Sequence, residues 1–132
     1  MAPRIFSALA SVFSLSVAAC GGKDAGGGGG GGSALPAEAV AKAQEIYVQR
    51  CTPCHGEKGH GDGSASASLN PKPRNFSDPE WQKSVDDGHI MKIIKMGGMA
   101  VGKSAAMPAN PDIKDPDIIA ALKDRVRSFA AK

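Results

Sequence analysis

Nothing in this 132-residue chain reads as a nucleic-acid footprint: its 16 Lys and Arg side chains are scattered and its formal net charge is only +3. No segment alternates apolar and polar residues, so no half-buried β-strand is expected and the fold should be all-α. No permanent membrane span is expected either. A spanning helix needs about 20 consecutive apolar residues, and the uncharged stretch Ile5–Ala19 stops at fifteen. Cysteine is scarce: Cys20 stands alone while Cys51 and Cys54 are clustered, an odd count that excludes a framework of disulfides stapling distant loops. Large apolar side chains are also few, 23 from Leu35 onward, which is thin filling for a domain of this length.

The N-terminal segment is organised as an export signal. Arg4 gives a basic start, the uncharged stretch follows, and the whole reads as a signal peptide over residues 1–19. Val17-Ala18-Ala19-Cys20 resembles the lipobox of bacterial lipoproteins, in which the cysteine is lipidated and becomes the first mature residue. The resemblance implies a lipid anchor on Cys20 at the periplasmic side of a bacterial membrane; an ordinary signal peptide would instead release a soluble periplasmic protein. Residues 20–35 form a tether with seven consecutive glycines, Gly26–Gly32. A flexible stretch of about 15 such residues spans roughly 20–23 Å on average and about 50 Å at full extension. Once Arg4 is removed, 15 basic side chains face 13 acidic ones, so net charge predicts no strong electrostatic steering toward a partner.

From Pro36 to the end, residues 36–132, the pattern becomes helical. Pro36–Arg50 opens on proline and is rich in helix formers, with Val40, Ala43 and Tyr47 on one stripe. A short helix is expected from Pro79 to Val85, capped through Ser77-x-x-Glu80 or by Asp78. Another runs from Gly88 to Met96, with Ile90, Ile93 and Ile94 inward and Gly97 ending it. The last is capped by Asp115 and opened by Pro116, and Ile118, Ile119, Leu122, Val126 and Phe129 form its apolar stripe. Gly56–Ser77 and Gly98–Lys114 are too rich in Gly, Pro, Ser and Asn to be helical. Such long loops are uncommon in compact domains unless they serve a function. Short helices, long loops and sparse filling suit a chain wrapped around a large flat apolar cofactor.

Cys51-Thr52-Pro53-Cys54-His55 supplies the chemistry for one. C-x-x-C-H is the attachment pattern of c-type haem: two thiols three residues apart reach the two vinyl groups on one porphyrin edge, and the adjacent histidine lies under the iron. A thioredoxin-type Cys-x-x-Cys would need βαβ surroundings, and a zinc site would need a second ligand pair where only His60 and His89 remain.

At this point the chain resembles the small class I bacterial cytochromes c. Tyr47-x-x-x-Cys51-x-x-Cys54-His55-Gly56, Gly59-x-Gly61-Asp62-Gly63, Asn70-Pro71-x-Pro73-Arg74-Asn75-Phe76, Trp81, Ile90, Ile94, Gly97 and Ala106-Met107-Pro108-Ala109 carry the resemblance. It covers about residues 36 to 130; Ala43 departs from it, where many relatives have a glycine between the first and last helices. The resemblance implies four or so helices around one covalent haem c, with His55 and Met107 as the two axial ligands of its iron. Met99 is the alternative sixth ligand, while Met91 and Met96 fit core positions. The resemblance further implies that a proline carbonyl, Pro71 or Pro73, holds the His55 ring. Lys72, Arg74 and Asn75 are candidates either for a haem propionate or for ordinary solvated polar residues, Trp81 for the haem border or the core, and His60 and His89 for plain surface residues. The implied function is one-electron transfer between redox partner proteins outside the cytoplasm, by a monomeric carrier rather than an enzyme. A haem-based sensor, or a small subunit of a larger oxidase or dehydrogenase, is the alternative.

Overall fold

The computed structural model describes residues 34–130. The expected signal peptide, Cys20 and the glycine tether up to residue 33 lie outside the described residues. Five α-helices follow in the order α1 Ala37–Ile46, α2 Thr52–His55, α3 Pro79–Ser84, α4 Asp87–Met96 and α5 Pro116–Arg127. A π-helical turn, Tyr47–Cys51, joins α1 to α2, and 3-10 turns at Ser66–Ser68 and Gly98–Val101 punctuate the long loops. Among the described residues there is no strand, and no helix is long and apolar enough to cross a membrane. The all-α expectation holds.

The helices start where short polar side chains can accept their unpaired amides. Asp78 accepts from the amides of Glu80 and Trp81, Asp86 from that of His89, and Asp115 from that of Asp117. Ser77 does not cap α3, because its own amide donates to Asn75 Oδ1 at 2.8 Å and closes a local turn. Gly97 ends α4 with φ 79°, a conformation that penalises a side chain.

Packing then follows from the stripes. α5 lies against both α1 and α4, and the core joins Ala43, Ile46 and Tyr47 to Phe76, Ile90, Ile94, Ile113, Ile119, Leu122 and Val126. Ala43 is fully buried in the core that α1 shares with α5. Val40 is a correction to the sequence reading. It is 50% exposed, because the inward positions of α1 are Ala39, Ala43 and Ile46, spaced by four and three residues.

A second correction concerns the first helix, which was expected to continue in one register to Arg50. It changes register at Tyr47, where the amide of Thr52 donates to the carbonyl of Tyr47, five residues back. Pro53 explains the change: it has no N–H to offer the carbonyl four residues back, that of Gln49, so the helix widens by one residue before it resumes as α2.

Arg127 fastens the far corner. Its Nη1 donates to the Gln82 carbonyl (2.6 Å) and Gln82 Oε1 (2.8 Å), its Nη2 to the Val85 carbonyl (2.7 Å), and its Nε to Asp87 (2.8 Å). One planar fork thus ties α5 to the link between α3 and α4. Replacing Arg127 with Ala is expected to lower stability by about 1–3 kcal/mol in urea unfolding, since two partly buried carbonyls lose their donor. Arg127→Lys, which keeps the charge and loses the fork, should recover less than half of that.

Candidate haem-attachment site

Cys51 closes the π turn and Cys54 and His55 lie in α2, so the three side chains fall at i, i+3 and i+4 and share one face. α2 is too short to stand alone. The carbonyls at its end need donors, and the following glycine-rich loop supplies them. Gly61 N donates to the His55 carbonyl (2.8 Å), Gly63 N to that of Cys54 (3.2 Å) and Ala65 N to that of Pro53 (2.8 Å). The loop lies so close to the helix end that a Cβ on Gly63 would strike the carbonyl oxygens of Thr52 and Pro53. This is the physical reason for glycine in the Gly61-Asp62-Gly63 stretch.

Folding the loop back also encloses His55, which is 9% exposed. Its ring stacks on Phe76 with centroids 4.4 Å apart and planes 15° from parallel. Phe76 is held there by its amide, which donates to the Gly59 carbonyl at 2.6 Å. His55 Nδ1 lies 3.2 Å from the carbonyl oxygen of Arg74. A carbonyl only accepts, so Nδ1 carries the proton and Nε2 keeps its lone pair for a metal. Burial lowers the His55 pKa, with the Arg74 hydrogen bond opposing, and favours this neutral ring. The carbonyl partner corrects the expectation of Pro71 or Pro73. Pro73 turns its carbonyl toward Gly61, into the space a Cβ there would occupy, which leaves the next residue to face the histidine.

Tyr47 stands behind the motif, 1% exposed, with its hydroxyl donating to the Gly56 carbonyl at 2.9 Å and its ring 5.4 Å from that of Phe129. Burial, then the neighbouring Cys51, pushes its pKa up to about 12. Cys51 and Cys54 are unpaired and partly buried. Burial raises the Cys51 thiol to about 11, with Arg50 opposing, so at neutral pH it is a protonated thiol rather than a redox-active thiolate.

The remaining candidates separate by position. Met96 and Met99 are exposed, Met99 by 73%, and Met91 packs against the core. Met107 is half-buried and its backbone is pinned: Gly98 N donates to its carbonyl (2.9 Å), and its own amide donates to Ser104 (3.3 Å). A Cβ on Gly97 would press on Met107–Ala109 at 2.8–3.0 Å, so this loop passes directly against the end of α4. Lys72 donates to the carbonyls of Ser66 (3.0 Å) and Ala67 (3.1 Å), and Asn75 accepts from Ser77, so both serve the loop's own backbone. Arg74 pairs with Asp78 at 3.7 Å and lies 6.0 Å from the ring centre of Trp81, which packs on Phe76. His60 is exposed, and His89 lies half-buried in the first turn of α4.

Two free thiols and a neutral buried imidazole with Nε2 available, all on one helix face, fit a thioether-bound haem. Comparison with known proteins gives the class. The family described as cytochrome c oxidase, cbb3-type, subunit III matches residues 38–123. The chain belongs to that family: it is a c-type cytochrome, and its cofactor is covalently bound haem c with its iron. The cbb3-type cytochrome c oxidase subunit FixP of Bradyrhizobium diazoefficiens is 30% identical over 90 residues, which are 68% of this chain. The chain spans 27% of that relative's length. Among solved structures, the KustC0563 c-type cytochrome aligns with 67% of this chain and 98% of its own, at 27% identity and a TM-score of 0.49.

Because the neutral Tyr47 phenol favours the folded state, its contribution to stability is whole below pH 10 and is lost as pH rises toward 12. Tyr47→Phe should cost about 1 kcal/mol at neutral pH through the lost Gly56 hydrogen bond. The same variant should flatten the alkaline fall of the haem-loaded protein's unfolding midpoint between pH 10 and 12.

Proposed function

We propose that Cys51 and Cys54 form the two thioethers to haem c, that His55 Nε2 is its proximal ligand, and that Met107 is the sixth. The observation that carries the reading is the His55 arrangement: Nδ1–H engaged by the Arg74 carbonyl, the ring fixed on Phe76, and two free thiols on the same helix face. Support for Met107 is its half-buried place in a pinned loop, against the exposure of Met99 and Met96. Haem c supplies the reversible one-electron change of its iron. The chain's share is to hold it, orient the histidine and keep water from both axial positions, which leaves electron exchange as the chemistry.

We further propose that the carrier works outside the cytoplasm, held to the membrane by a lipid on Cys20 through the 20–35 tether, and exchanges electrons with redox partner proteins. The tether would raise the domain's concentration near membrane partners while leaving it free to turn. A second reading, a dedicated electron-transfer subunit of an oxidase, is favoured by the family description and by FixP's name as an oxidase subunit. Co-purification with a larger membrane enzyme in fixed stoichiometry would select it over a free shuttle.

The test is the visible spectrum of the purified protein and its variants. Met107→Ala should abolish the weak red sulfur-to-iron charge-transfer band of the oxidised protein and open the iron to added imidazole, while Met99→Ala should leave both unchanged. A band that survives in Met107→Ala and vanishes in Met99→Ala would move the ligand to Met99. An oxidised protein that binds imidazole without any substitution would instead favour a sensor.

A further inference from the structure

One cluster of charged and polar side chains lies outside the residues proposed to hold the cofactor and yet joins both halves of the proposed site. Arg50, the residue before Cys51, reaches across 62 positions of sequence to Asp112. Its Nη2 donates to Asp112 Oδ2 at 2.7 Å and its Nη1 to Asp112 Oδ1 at 3.0 Å, a two-pronged pair, and Nη1 also donates to Asn110 Oδ1 at 3.1 Å. Asn110 is itself anchored to the end of α4, its side-chain amide donating to the Ile94 carbonyl (2.8 Å) and its backbone amide to that of Lys95 (3.0 Å). Ile113, one residue past Asp112, is buried in the core.

The placement of these contacts gives them a use. Arg50 belongs to the π turn that ends in Cys51. Asn110 and Asp112 lie three and five residues after Met107, on the loop that carries it. On the other side of Met107 the loop is held by backbone hydrogen bonds at Gly98 and Ser104. Between the pinned backbone and the buried Ile113, the Arg50 fork joins the loop to the attachment helix through side-chain hydrogen bonds.

We infer that Arg50, Asn110 and Asp112 form a latch that holds the Met107 loop closed over the iron and sets how readily another ligand displaces Met107. The inference rests on the reading of Met107 as sixth ligand. Arg50 and Asp112 are positioning residues: they act through the loop and touch neither iron nor methionine. A single exposed ion pair usually adds little to global stability. A local opening that breaks only this loop's contacts is more sensitive, because few other interactions oppose it. The pair is bidentate and shares its arginine with an asparagine anchored twice, which limits the side-chain entropy it must overcome. Both partners are partly exposed, at 43% and 58%, so salt screens the latch.

The experiment follows imidazole capture by the oxidised, haem-loaded full-length protein, with the sulfur-to-iron band as the second readout. Asp112→Asn and Arg50→Gln should each speed capture about threefold to tenfold. The double variant should be no faster than the singles, and the exchanged pair Arg50→Asp with Asp112→Arg should return toward the wild-type rate. All four variants should keep the band at rest. In wild-type protein, which needs no variant to fold, raising sodium chloride should speed capture toward the Asp112→Asn rate, whereas Asp112→Asn itself should respond little. Wild-type rates in the single variants, additive acceleration in the double, or a wild-type rate indifferent to salt would each overturn the latch. Persistence of the band in Met107→Ala overturns the ligand reading, and the latch falls with it. Loss of the band in Met107→Ala with unchanged rates in the latch variants overturns the latch alone.

Discussion

The structure depends on how a helix of one turn is ended. α2 carries Cys54 and His55, and by itself it would leave its carbonyls without donors. The amides of Gly61, Gly63 and Ala65 supply those donors, and in doing so they lay the glycine-rich loop over the helix end. That single placement brings Arg74's carbonyl to His55 Nδ1 and Phe76 to the face of the imidazole. It therefore selects the tautomer, fixes the ring and leaves the Nε2 lone pair free, as the proposed iron ligation requires. The loop that looks irregular in sequence is thus what makes the histidine a usable ligand.

The rest of the fold supports this corner from behind. Tyr47 closes the junction between α1 and α2 by donating to the Gly56 carbonyl, and Phe129 from beyond α5 covers its ring. α5 is in turn fastened to the α3–α4 link by the Arg127 fork. The apolar core is small, and most of it comes from α1, α4 and α5. Thin filling is what a domain shows when a bound cofactor supplies part of its interior.

Much of this was legible in the sequence because it is local. C-x-x-C-H spacing is covalent geometry, and Asp78, Asp115 and Gly97 announce helix ends through one or two hydrogen bonds each. The π turn was not legible as such, although its cause was in view: Pro53 withholds an amide, and only the continuing helix reveals that the register shifts in response. The choice of Arg74 over Pro71 or Pro73 depends on where successive carbonyls point, which residue types do not encode. Lys72, Arg74 and Asn75 show the same limit. Their charge and polarity suited a propionate, yet each finds a partner within a few residues of itself. The Arg50–Asp112 contact was invisible for the opposite reason, because its partners are 62 residues apart.

The central claim is that this helix end holds a covalently attached haem through Cys51 and Cys54. Its most direct test is the mass of the denatured protein from cells competent in haem attachment, followed by that of the proteolytic fragment containing Cys51–His55. The account requires one haem retained on that fragment and no thiol left there to alkylate. A colourless protein in which both cysteines take up alkylating reagent would contradict it.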